Sequence, residues 1–194
     1  MNRQWELPQC VELGGRSWSI RADFRQVMGL LTRLERVEEG DFARGYLALT
    51  GFYPEFFEMP PELRQPALDW MLWFLNGGRE DKDPPGPKLI DWEQDAGMIA
   101  AEINRVAGCE VRTLPFVHWW TFLAWFGCIG QGQLSLVVGI RAKMQRGKKL
   151  DEWERDYLRQ HRCRVILKAR ETAQQAQQRQ QLLRMLEQAE GGRR

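Results

Sequence analysis

Leu114-Pro115-Phe116-Val117-His118-Trp119-Trp120-Thr121-Phe122-Leu123-Ala124-Trp125-Phe126-Gly127 decides how this chain folds. The stretch holds three of the nine tryptophans within seven residues, together with three phenylalanines. Pro115 suits the first turn of a helix, where a missing N–H costs no hydrogen bond. In a helix, Phe116, Trp119, Trp120, Leu123 and Phe126 form one broad stripe, and Val117, Phe122, Ala124 and Trp125 make the remainder apolar as well. A helix apolar all round is normally buried, and a membrane span needs roughly 20 such residues. The expectation is therefore a central core helix covered by other helices, with Trp92, Ile99, Ile103 and Trp153 packed around it.

The elements on either side follow from hydrophobic periodicity and its breaks. Cys10–Leu13, Gly14-Gly15 and Arg16–Ile20 read as a β-hairpin, because Gly-Gly suits a two-residue turn that needs positive φ. Asp23 opens a helix with Gln26 in capping-box position, and Phe24, Val27, Leu31, Leu34 and Val37 keep the helical period until Gly40. A short helix near Asp41–Leu49 is expected to stop near Gly51, with Pro54 confirming the break. Another opens at Pro60-Pro61, buries Leu63, Ala67, Trp70, Met71, Phe74 and Leu75, and ends at Gly77-Gly78. Asp91 caps a helix whose inner face is Ala96, Ile99, Ala100, Ile103, Val106 and Ala107, closed by Gly108. Beyond the aromatic stretch, Leu134, Val137, Val138 and Ile140 begin a helix that turns basic at Arg141 and ends at Gly147-Lys148-Lys149. A last helix starts near Leu150 and is expected to run for more than thirty residues, with Trp153, Tyr157, Leu158, Val165 and Ile166 on the body.

The fold expected is mainly α: a compact helical bundle with a short N-terminal β-hairpin and a long C-terminal helix. Residues 1–76 form the hairpin and first helices, 77–88 a flexible Pro/Gly loop, 89–170 the core around the aromatic helix, and 171–194 a Gln-rich projecting helix or tail. At 194 residues the chain can bury a real core. Its opening residues lack the pattern of a secretory signal, and its four scattered cysteines have no metal-ligand spacing. A cytosolic protein with free thiols is expected, with Cys109 and Cys128 as small core residues. The net charge of +2 hides an asymmetry: residues 1–140 carry 13 Lys/Arg against 19 Asp/Glu, and residues 141–170 carry 11 against 4. Such a split suits contact with an acidic surface or with a second copy of the chain.

Few residues suggest chemistry. Asp91, Glu93 and Asp95 lie in a first helical turn, where acids complement the helix dipole. His118 is expected to be buried and hydrogen-bonded to a neighbouring helix, and neither it nor His161 belongs to a recognisable catalytic arrangement. Gly127, Gly130 and Gly132 match no phosphate-binding or dinucleotide motif. Catalytic residues, metal ligands and cofactors are therefore expected to be absent. The clearest electrostatic feature is Arg141, Lys143, Arg146, Lys148 and Lys149, continued by Arg155, Arg159, Arg162 and Arg164. Asp151, Glu152, Glu154 and Asp156 interrupt it, which favours a solvated face or protein contact over nucleic-acid binding. Leu182, Leu183 and Leu186 restore an apolar patch near the end of the tail. With the basic residues at 141–149, they are the expected partner-binding set.

Leu89–Asp95, Ala101–Gly108, Leu114-Pro115, His118–Phe122, Ile140-Arg141, Gly147–Leu150 and Trp153-Glu154, in this order, resemble the bacteriophage gp-fifteen family of long-tailed phages and prophages. The hairpin followed by Ile20–Arg25 is similar to the N-terminal signature of that family, and the likeness extends over roughly residues 10–170. Genes of the family usually stand between the major tail protein and the tape measure protein, the place of tail assembly chaperones. The resemblance implies a non-enzymatic factor that coats the tape measure protein, recruits tail-tube subunits and leaves the finished particle. It further implies action in the host bacterial cytoplasm, with the tape measure and major tail proteins as partners; self-association is suggested separately, by the charge asymmetry and the apolar patch of the tail.

Three other readings compete with this one. The first is a nucleic-acid-binding phage protein using the basic segment 141–164. The second is an enzyme, which needs His118 in a cleft beside Asp91 or Asp95. The third is membrane association through the aromatic helix. The surfaces expected to work are the hairpin, the basic turn at Gly147 and the final helix.

Overall fold

The computed structural model describes residues 6–37, 40–80 and 86–168, together with Gln181 and Met185. The hairpin forms as expected. Strand β1 (Cys10–Leu13) pairs antiparallel with β2 (Arg16–Ser19), with Val11 opposite Trp18, and Gly14 and Gly15 turn the chain at φ +61° and +76°. Trp18 is buried, so the hairpin lies on the helical body by its apolar face. That contact is what a lone two-stranded ribbon needs for stability.

Helix α1 (Phe24–Leu34) begins at Asp23, whose carboxylate accepts the Arg25 backbone N–H, and α2 spans Asp41–Phe52. Helix α2 stops one residue past Gly51, as expected, and the missing side chain at Gly51 lets its last turn press against Leu30. A short 3₁₀ turn at Pro61–Leu63 leads into α3 (Arg64–Leu75), which buries Ala67, Met71 and Phe74. Helix α4 (Ala96–Ala107) follows a turn capped by Asp91, buries Ile99 and Ile103, and stops at Gly108 with φ +70°.

Helix α5 (Trp119–Gly127) is the aromatic helix, and it is shorter than expected. Residues 114–118 are not helical, and Pro115 is outside the first turn. His118 caps the helix instead, its Nδ1 accepting the Trp120 N–H at 3.1 Å. Phe24 N–H donates to Val117 C=O and Trp119 N–H to Ala22 C=O, so this segment is bridged to the start of α1. Arg25 fastens the same loop by donating to the carbonyls of Leu114 and Pro115.

One face of α5 is fully buried. Trp119 and Phe122 are inside, while Trp120, Leu123, Trp125 and Phe126 are half-buried and Ala124 is exposed. The indole N–H groups of Trp119 and Trp120 donate to the carbonyls of Leu75 and Phe74 at the end of α3. Phe122 stacks on Phe24 and on Trp119, and Trp92 packs against Trp119, Phe122 and Phe126. Helix α5 is therefore the hub that joins α1, α3 and α4. One hydrophobic core runs from Val11 to Leu134, so the segment 77–88 does not separate two cores; part of that segment, 81–85, lies outside the described residues.

Four core expectations fail. Phe116 is 47% exposed, because residues 114–118 are not helical and burial begins only at Val117 and His118. Trp153 is 54% exposed, because Glu154 is the residue of its turn that faces inward, to Lys143 and the Asp151 backbone N–H. Cys109 and Cys128 are exposed free thiols and not core residues, as are Cys10 and Cys163.

A smaller cluster of Val137, Ile140 and Val165 holds α6 (Gln133–Gln145), α7 (Glu152–Gln160) and α8 (Arg162–Val165) together. A continuous helix from Leu150 is not what forms over the described residues: the chain breaks at His161 and turns extended at Ile166. The break has a cause in side-chain competition for the end of α8. Arg141 takes the carbonyls of Arg164 and Val165, and Gln94 takes those of Cys163 and Ile166 while accepting the Lys168 N–H. Of the tail, only Gln181 and Met185 are described, both helical and exposed; Leu182, Leu183 and Leu186 lie outside the described residues.

Candidate functional site

The basic set singled out in the sequence divides in two. Arg141 is the buried keystone of the C-terminal half and cannot touch a partner, since its side chain is 4% exposed. All five of its N–H groups are used: Nε on Val165 C=O, Nη1 on Leu89 C=O and Asp95, Nη2 on Asp95 and Arg164 C=O, at 2.6–2.9 Å. Asp95 is fully buried and also accepts the Asp91 N–H, so it is more than an acid complementing a helix dipole. Lys143 is held between Asp151 and Glu154, whose carboxylates push its pKa up. Arg146, Lys148 and Lys149 are exposed and have no ion pair among the described residues.

His118 is buried, and its partners fix its tautomer. Nδ1 accepts from Trp120 N–H, so Nε2 carries the proton and donates to Pro8 C=O at 2.9 Å. Burial pushes its pKa down, with the Pro8 hydrogen bond acting in the opposite direction. The bond partner belongs to the segment before β1 rather than to a neighbouring helix. Phe74, Phe116 and Trp120 ring the imidazole. Asp95 is committed to Arg141, so the residues named for acid–base chemistry serve separate structural roles. Among the described residues, no three His, Cys, Asp or Glu side chains converge to hold a metal ion, and no helix is long and apolar enough to cross a membrane.

The contact between His118 and Pro8 lies beside a feature suited to binding. A groove of about 260 Å³ is lined by Trp70 and Trp73 from α3, Trp120 from α5, and Glu6, Pro8, Cys10, Val11 and Glu12. Trp73 meets Trp120 edge to face at 5.4 Å and Trp70 at 5.6 Å, so the three indoles form one continuous wall. Three consecutive strand residues line the groove, which places it along the edge of β1 rather than over one face.

The hairpin register decides what that edge offers. Across a two-residue turn Leu13 and Arg16 form a hydrogen-bonded pair, and such pairs recur at Val11–Trp18 and Gln9–Ile20, where Ile20 N–H donates to Gln9 C=O. The backbone N–H and C=O of Cys10 and Glu12 therefore point away from β2, and among the described residues they have no backbone partner. Glu6 and Glu12 at the rim are exposed and have no ion pair among the described residues.

The sequence named the hairpin as a working surface and Trp70 and Trp120 as core. It gave no sign that Trp73, Pro8 and Glu6 join them, because that juxtaposition depends on contacts distant in the chain. Two exposed aromatic side chains were also missed: Phe42 on α2 and Phe57 in the following 3₁₀ turn are 86% and 82% exposed. Comparison of the chain with protein-family models, curated proteins and solved structures finds no match in any of the three.

Proposed function

We propose that this chain is a non-enzymatic tail assembly chaperone of long-tailed phages. It binds the tape measure protein, keeps it soluble in the host bacterial cytoplasm and promotes addition of the major tail protein, and it is not retained in the virion. The observation that carries the reading is the tryptophan-walled groove beside a strand edge that has no backbone partner among the described residues, a surface suited to holding polypeptide. Tryptophan is favoured at such sites because a rigid ring buries much area for little lost rotamer freedom. Phe42 and Phe57 are further exposed apolar side chains. The order of motifs that resembles the gp-fifteen family supplies the choice of client.

Nucleic-acid binding is the weaker reading, because Arg141 and Lys143 are consumed in ion pairs within the chain. It rests on Arg146, Lys148 and Lys149 at the end of α6. A salt-dependent mobility shift with DNA that is lost on Lys148→Glu/Lys149→Glu would favour it over the chaperone reading.

Co-expression with the tape measure protein of the same genome tests the proposal. Soluble tape measure protein that co-purifies with this chain is the expected result. A tape measure protein that stays insoluble, or is equally soluble without this chain, refutes it.

A further inference from the structure

The geometry points to strand addition: the groove takes an extended, lysine- or arginine-bearing segment of a partner protein, which pairs with β1 as a third strand. The inference rests on the reading of the chain as a protein-binding factor and specifies what is bound and how. The outer edge of β1 provides two donors and two acceptors, the outward N–H and C=O of Cys10 and Glu12, which have no backbone partner among the described residues. A partner strand of about four residues matches it, at ~3.3 Å per residue. Exposed edges are commonly blunted by lysine, proline or a bulge. Strand β1 reads Cys-Val-Glu-Leu and contains none of these.

The side chains of the incoming strand meet two kinds of surface. The indole wall of Trp70, Trp73 and Trp120 favours apolar stems and, through the negative faces of the rings, cations. Glu6 and Glu12 at the rim have no ion pair among the described residues and add negative charge at the same place. The combination selects Lys or Arg, whose long stems pack on indole while the charged ends reach the carboxylates.

A second copy of the chain suits the groove less well. Antiparallel pairing of two β1 edges would bring the Glu6 and Glu12 rims of both copies together, and like charges facing across strands are destabilising. The acidic rim also repels nucleic acid.

The test uses the full chain and two synthetic seven-residue peptides, one alternating valine with lysine and one alternating valine with glutamate. Tryptophan fluorescence gives affinity, and amide hydrogen exchange gives the site. The lysine peptide is expected to protect the amides of Cys10 and Glu12 and to bind at least tenfold more tightly than the glutamate peptide. Cys10→Pro removes an outward donor while leaving the hairpin ladder intact, and it should weaken binding at least tenfold. Glu12→Lys, at an exposed position with no contact to lose, should do the same and serves as the second variant if Cys10→Pro fails to fold.

Equal affinity for the two peptides, no binding of the lysine peptide at millimolar concentration, or unchanged binding by either folded variant overturns strand addition. So does protection of the Cys10 and Glu12 amides in the free chain, which would mean that its own N-terminal residues or a second copy already occupies the edge. Failure here alongside co-purification of the tape measure protein would overturn only the mode of binding. Peptide binding without that co-purification would overturn only the chaperone reading.

Discussion

Replacing Arg141 by methionine should cost about 4 kcal/mol or more, because it breaks a buried ion pair and strips three carbonyls of their partner at once. Asp95 is fully buried, and its two oxygens receive Nη1 and Nη2 of Arg141 at 2.6 and 2.9 Å. Removing one member of such a pair leaves a buried charge without compensation, which costs roughly 3–5 kcal/mol. The carbonyls of Leu89, Arg164 and Val165 also lose their donors, at roughly 1–3 kcal/mol for each that remains buried and unsatisfied. Release of α8 into water would limit this second part, so the pair supplies the lower bound.

For a chain of this size, ~4 kcal/mol corresponds to a melting temperature lower by about 8–16 °C. Arg141→Lys should recover less than half of the loss, since one ammonium cannot reproduce a bidentate fork together with three carbonyl bonds. Arg141→Met combined with Asp95→Leu should be less destabilised than Arg141→Met alone, because the orphaned carboxylate is gone. Urea unfolding followed by far-ultraviolet circular dichroism measures all three. An Arg141→Met midpoint equal to that of the unmodified chain, with an unchanged slope, refutes the reasoning.

Other expectations follow from the same contacts. His118 has its folded-state pKa pushed below the ordinary value by burial, so the unfolded chain binds the proton more readily; stability should be fully present above about pH 6.5 and fall as the pH drops below it. The slope should not exceed about 1.4 kcal/mol per pH unit for this one proton, and His118→Asn, which keeps a helix-capping acceptor, should flatten it between pH 5 and 7 in denaturant titrations. Asp23 contributes in a lower window: burial opposes its charge, but Arg25 and backbone N–H groups prevail and hold its pKa below the usual value, so its share is lost only as the pH falls beneath about 4. Trp119→Ala should cost roughly 3–5 kcal/mol as a fully buried ring, whereas Phe116→Ala, at an exposed position, should change stability by less than about 1 kcal/mol; equal midpoints for the two variants would contradict the placement of α5. Gly132→Ala should destabilise by roughly 1–3 kcal/mol, because a methyl group there meets the Glu102 carboxylate that caps α6 through Gln133 N–H, and an unchanged melting temperature would show that the carboxylate moves aside freely.

Local chemistry made much of the fold legible. Gly14-Gly15 demanded a tight turn, Gly77-Gly78 and Gly108 ended α3 and α4 with positive φ, and the period of α3 identified Ala67, Met71 and Phe74 as buried. The start of α5 was misplaced because Pro115 offered a starting signal, whereas the helix begins only after His118. The histidine won through a side-chain cap and a backbone bridge to Ala22 that the local sequence does not reveal.

The same limit governs charge. Composition flagged Arg141 and Lys143 as part of a basic surface, yet their partners at Asp95, Asp151 and Glu154 turn them into structural pairs. Helix propensity likewise favoured continuity beyond Leu150, and the competition of Arg141 and Gln94 for carbonyls at the end of α8 prevailed over it. The groove was the least visible feature of all. Its tryptophans come from two helices and its edge from a hairpin, and only tertiary packing brings them together.

Photo-crosslinking in the co-expressed assembly tests the central claim most directly, with a photoreactive side chain placed at Glu12 in one version of the chain and at Lys148 in another. Capture of the tape measure protein from position 12, lost when Cys10→Pro is introduced, is the predicted result. Capture from position 148 alone, with none from position 12, would contradict the assignment of the groove as the working surface.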